Sequence, residues 1–106
     1  MIKVHFFDRD NDDLVHVADV DTDDLEVAWR RTNNVGGSWS REEYFGGVKN
    51  SDYSPLVKVI EPLPVYDGVR YGHRSAMVDD IFEKDGVRYR VAPFGFEEIE
   101  GDDYHA

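Results

Sequence analysis

The sequence predicts an α+β fold, a mostly antiparallel sheet packed by one or two helices. Three observations carry this. Apolar residues alternate on both sides of an Asp-rich turn near residues 8–13. Apolar residues recur at helical spacing from Leu25 to Thr32. Asp85-Gly86 sits between two further alternating runs, the strongest hairpin signal in the chain.

In chain order, Ile2–Phe7 (IKVHFF) and Leu14–Val20 (LVHVADV) predict two strands, with the turn former DRDNDD between them. A turn centred on Asp10 and Asn11 sets Phe6 opposite Val15 and Val4 opposite Val17. One face is then Ile2, Val4, Phe6, Val15 and Val17; the other carries Lys3, His5, Phe7, Leu14, His16 and Ala18. A helix is predicted from about Asp23 to Asn33. Asp21 or Thr22 caps it, Asp23, Asp24 and Glu26 suit the positive end of its dipole, and Arg30 and Arg31 suit the other end. Leu25, Ala28, Trp29 and Thr32 form its buried stripe, with Trp29 expected against the Val4/Phe6/Val15/Val17 face. Asn34 and Gly36-Gly37 end it.

Ser40-Arg41-Glu42-Glu43 reads as a capping box opening a short helix through Phe45. Residues 46–55 read as loop and Leu56–Glu61 (LVKVIE) as a strand. Pro62 and Pro64 bar a central strand after it. Tyr66 to Arg74 is turn-like, with a tight turn at Asp67-Gly68. Asp80–Lys84 and Val87–Val91 form the Asp85-Gly86 hairpin, pairing Glu83 with Arg88 and Phe82 with Tyr89. Phe96–Ile99 adds a short strand. The expected organisation is one domain over residues 1–100 and a mobile acidic tail over 101–106.

The 106 residues include 23 acidic and 12 basic ones, for a net charge of −11. That exceeds the magnitude of roughly 2–8 that keeps a small domain soluble. Such a charge disfavours direct binding to nucleic acid or an anionic membrane and favours a basic partner. High-salt adaptation or a GC-rich genome would give the same bias without any binding role. There are no cysteines, which excludes disulfides and thiolate chemistry and suits a reducing cytoplasm. No signal peptide and no long apolar run appear, so a cytoplasmic protein is expected.

The acidity is concentrated. Asp8, Asp10, Asp12, Asp13, Asp19, Asp21, Asp23, Asp24 and Glu26 lie in one stretch that only Arg9 opposes. Held on folded structure, these carboxylates form the candidate partner-binding surface. Asp8, Asp10, Asp12 and Asp19 also match positions of a calcium loop, but Asp13 stands where the sharp turn wants Gly, and a bidentate Glu is missing. His5 and His16 face each other across the first hairpin and could share zinc if further ligands joined them. His73, Ser75, Asp79 and Asp80 supply the parts of a nucleophile–base–orienter set, without a GxSxG elbow. Either group would serve an alternative reading as a metal-dependent or acid–base enzyme. Arg70, Arg74, Arg88 and Arg90, with Tyr71 and Tyr89, superficially suit single-stranded nucleic acid, against the net charge. No cofactor motif is present, and neither a metal nor a cofactor is expected.

The segment Tyr71 to Ile99 resembles the C-terminal part of YodL-like domains, over about a quarter of the chain. The shared pattern is His73-Arg74-Ser75, Val78 and Asp80, then Ile81-Phe82, then Tyr89 to Val91, then Phe94 to Ile99 (FGFEEI). Asp79-Asp80 stands where related patterns have Gly-Asp. The resemblance implies an accessory protein of a phage or other mobile element and carries no enzymatic site. Together with the charge, it leads to the expectation of a non-enzymatic inhibitor. Its target would be a basic, nucleic-acid-binding host protein of the restriction or CRISPR-effector type. A generic interaction module with biased composition is the third alternative.

Overall fold

A computed structural model of the chain describes residues 1–42 and 47–99. It is an α+β domain with one helix among the described residues. The strands are β1 (Ile2–Asp8), β2 (Asp13–Val20), β3 (Val57–Val59), β4 (Val65–Tyr66), β5 (Val69–Arg70), β6 (Ile81–Lys84), β7 (Val87–Val91) and β8 (Phe96–Ile99), and the helix is α1 (Leu25–Arg31). Six strands form an antiparallel sheet in the order β3-β2-β1-β6-β7-β8, and β4 and β5 form a separate two-stranded ribbon.

The turns follow from residue chemistry. Asp85 and Gly86 both take positive φ, 51° and 78°, as do Asp67 and Gly68 at 51° and 77°. Two such residues make the hairpin turn whose twist matches its flanking strands. Glu83 pairs with Arg88 and Phe82 with Tyr89 as the sequence predicts. At the first hairpin, Asp8 closes against Asp13. The Asp8 carboxylate accepts the Asp10 and Asn11 amides and the Asn11 side chain. Asp12 takes φ 50° there, a region Asp visits more readily than most side chains.

The first hairpin departs from the predicted register at one place. Phe6 does face Val15, and His5 faces His16, but a bulge between Val4 and His5 sets Val4 opposite Ala18 instead of Val17. Val17 is the extra residue. Ala18 therefore joins the core and does not belong to the polar face. The bulge also puts His16 and Asp19 on one face, which a regular strand would separate.

The core lies on one side of the sheet. Ile2, Val4, Phe6, Val17, Ala18, Val20 and Phe82 meet Ala28 of the helix and Trp39 and Ala76 of the loops. Trp39, not Trp29, is the large residue at its centre, with no exposed surface. The reason is helix length: α1 has seven residues instead of the expected eleven or so, and its inward positions go to Ala28 and the capping Thr32. Trp29 flanks the core, partly buried. Asp24 caps the helix, accepting the Glu26 amide at 2.9 Å, in place of Asp21 or Thr22. The predicted strand over 56–61 shortens to Val57–Val59, and Asp80 precedes β6 instead of opening it.

The long connection after α1 is pinned by side chains. One Asp52 oxygen accepts the amides of Val35, Gly36 and Gly37 at 2.8, 2.7 and 2.6 Å. The buried Asn50 bridges to Ser38 and Arg41. Ser40 and Arg41 are not helical, and the Ser40 hydroxyl accepts the His73 amide. Glu42 is not helical either, and its carbonyl accepts the Asn50 amide at 2.9 Å. Residues 43–45 of the predicted short helix, and the acidic tail, lie outside the described residues.

Candidate functional site

The nine acidic residues are adjacent in sequence but not in space. β2 runs the eight residues from Asp13 to Val20, which separates its ends by about 23 Å at a rise of roughly 3.3 Å per residue. Asp8, Asp10, Asp12 and Asp13 crowd the tip of the first hairpin. Asp21, Asp23, Asp24 and Glu26 gather at the opposite end, near the start of α1. Asp19 lies between them on the polar sheet face, accepting from His16 Nε2 at 2.7 Å.

Several of these carboxylates serve the fold. Asp8 organises its turn, and its donors hold its carboxyl below the ordinary range, with the Asn11 side chain contributing most. Asp13 accepts the Leu14 amide, Asp24 caps α1, and Asp23 pairs with the chain terminus at 3.2 Å. Asp10, Asp21 and Glu26 have no such partner among the described residues.

The polar face of the sheet neutralises itself. Lys58, Asp19, Lys3, Glu83 and Arg88 stand side by side across five strands in alternating sign. Arg88 reaches Glu83 at 3.5 Å, and Arg90 reaches Glu97 at 3.1 Å. The His5 and His16 rings lie here, 5.0 Å apart. Burial, with His16 beside it, lowers the His5 pKa to about 4, and its Nε2 atom has no hydrogen-bond partner. Among the described residues no group of three or more His, Asp or Glu is arranged to hold a metal ion.

His73, Ser75, Asp79 and Asp80 do not assemble as a nucleophile, base and orienter. The His73 ring meets the Glu61 carbonyl at 2.9 Å and stacks on Trp39. Ser75 Oγ accepts the Asn34 amide. Asp79 sits at φ 79° and takes Arg9 at 3.1 Å. Asp80 is buried and binds Arg74 and the amides of Phe7 and Met77. These residues tie the 73–80 segment to β1 and to the 32–40 loop. The arginines do not form one patch either: Arg70 is on the ribbon, Arg74 beside Phe6, and Arg88 and Arg90 on the polar face.

A concavity opens beside the hairpin tip, a groove of about 680 Å³. Its apolar wall includes Phe6, Phe7, Pro64, Tyr66, Tyr71 and Met77. Its charged lining is Asp8, Asp10, Glu61, Arg9 and Arg74. Both arginines are already paired, with Asp79 and Asp80, which do not line the groove. Three carboxylates are therefore left to set its sign, with Asp12 and Asp13 on the neighbouring turn. Tyr66 and Tyr71, 65% and 48% exposed, stand on the β4–β5 ribbon with ring centroids 5.8 Å apart. Sequence reading missed this groove because Glu61, Pro64, Tyr66 and Tyr71 reach the hairpin tip only through the crossover between β3 and β6.

No family model, curated protein or solved structure matches this chain. Among the described residues, no helix is long and apolar enough to cross a membrane.

Proposed function

We propose that the chain is a non-enzymatic binding protein of a phage or other mobile element. It would inhibit a basic, nucleic-acid-binding host protein, of the restriction or CRISPR-effector type, by covering that protein's cationic surface. The observation that carries this reading is the groove at the hairpin tip. Its arginines are cancelled from outside, its carboxylates are not, and exposed aromatic rings line the same wall. Aromatic anchors beside unneutralised charge are what a protein interface uses for affinity and orientation. The turn is organised by the Asp8 hydrogen bonds, so little ordering entropy is lost when a partner docks. The mobile-element origin rests on the resemblance of residues 71–99 alone.

One observation favours the generic-module alternative. Asp12, Asp67, Asp79 and Asp85 all occupy positive φ, so part of the aspartate excess is turn chemistry. Affinity capture from bacterial lysate separates the two readings. The inhibitor reading expects a basic nucleic-acid-binding protein to be retained at low salt and released as salt rises. Retention of no protein in a salt-dependent way would leave the acidity as composition and turn geometry.

A further inference from the structure

We infer that the groove seats an arginine side chain of the partner between the Tyr66 and Tyr71 rings and the carboxylates of Asp10 and Glu61. This rests on the basic-partner reading and specifies its anchor. The occupant follows from charge and shape together. Among the described residues the Asp10 and Glu61 carboxylates have no ion pair or hydrogen bond, and both line the groove. The two rings are tilted by 54° and more exposed than tyrosines in a packed wall. A guanidinium is planar, stacks on an aromatic face and forks to carboxylates, and it sheds water more readily than an ammonium. The same molecule already uses this pairing in the groove wall. There the Arg74 guanidinium lies 4.2 Å over the Phe6 ring while gripping Asp80. The ribbon is suited to carry the anchor pair. The Tyr71 amide donates to the Pro64 carbonyl at 2.8 Å, extending the β4–β5 pairing to hold Tyr71 in place.

The test is titration of the full chain, isotopically labelled, with capped hexa-arginine and hexalysine peptides at low and moderate salt. The expected result is that hexa-arginine binds more tightly than hexalysine and shifts the resonances of Asp10, Glu61, Tyr66 and Tyr71. Tyr66→Leu and Tyr71→Leu keep apolar area but remove the ring face. Each should weaken hexa-arginine binding by about three-fold or more, and Tyr→Phe at the same position should restore it. If both peptides bind alike in a salt-dependent way and the leucine variants are indifferent, the arginine anchor is wrong while the basic-partner reading stands. If neither peptide binds at low salt, the basic-partner reading falls and the anchor with it. Wild-type resonance mapping decides the location even if a leucine variant misfolds.

Discussion

Arg74 grips Asp80 through both terminal nitrogens, at 2.7 and 2.8 Å, and lays the same guanidinium over the ring of Phe6. Asp80 is almost fully buried and also accepts the Phe7 and Met77 amides. The pair therefore fastens the 73–80 segment to the central strand, beside the groove.

Asp80→Asn keeps the shape but leaves Arg74 without its counter-charge. Removing one partner of a buried pair typically costs about 3–5 kcal/mol. Because Arg74 retains some exposure, a loss near the lower end is expected in denaturant unfolding. A variant as stable as the parent would show that the pair contributes nothing net.

The two tryptophans should separate cleanly. Trp39→Ala empties the centre of the core and removes the indole N–H bond to the Arg74 carbonyl. It should cost about 3–5 kcal/mol. Trp29→Ala, at the flank, should cost less than Trp39→Ala under the same conditions. The reverse order in thermal unfolding would contradict the assignment of the core centre.

His5 makes stability fall in mild acid. Its pKa is about 4 in the fold against 6.5 in the free chain. Below 6.5 the unfolded chain takes up a proton that the folded state refuses, so stability declines until about pH 4 and is flat above 6.5. His16, Glu83, Arg88 and Lys3 are the charged or titratable groups facing it. Because the ring is partly solvated, the loss is discounted to about 1–3 kcal/mol. His5→Gln should flatten this window. The depressed carboxyls of Asp8 and Asp52 act in a lower range with the same sign, losing their contribution only as pH falls below about 3.8. An unchanged slope between pH 6.5 and 4 in the His5 variant would assign the effect elsewhere.

Asp52 is exposed in its effect but specific in its target. Asp52→Ala should speed hydrogen exchange at the Val35, Gly36 and Gly37 amides, which donate to its carboxylate. β1 amides should keep their protection. Equal protection in variant and parent at 35–37 would mean that other groups hold this turn.

Short-range pattern was legible and long-range assembly was not. Asp85-Gly86 and Asp67-Gly68 specify their turns locally, so both turns, and the register of the first, could be read from the sequence; the β4–β5 pairing around the second could not. The β1–β2 bulge could not, because Val17 and Ala18 both suit a core position and only packing chooses between registers. Trp39 lies in a segment without periodicity, and its burial depends on Phe6 and Arg74, far away in the chain. The acidic stretch was legible as composition. Its division into two ends, and the meeting of one end with Tyr66 and Tyr71, depend on strand length and on the crossover.

The most direct test of the central claim compares the two ends. Association with the salt-released basic partner is measured across a range of salt for two variants, each with three carboxylates replaced by amides. One carries Asp10→Asn, Asp12→Asn and Asp13→Asn at the hairpin tip; the other carries Asp21→Asn, Asp23→Asn and Glu26→Gln near α1. Asn tolerates the positive φ of Asp12, so the tip should keep its turn. The expected result is slower association and a flatter salt dependence for the tip variant alone. Equal behaviour of parent and tip variant at low and high salt would contradict the hairpin tip as the recognition surface.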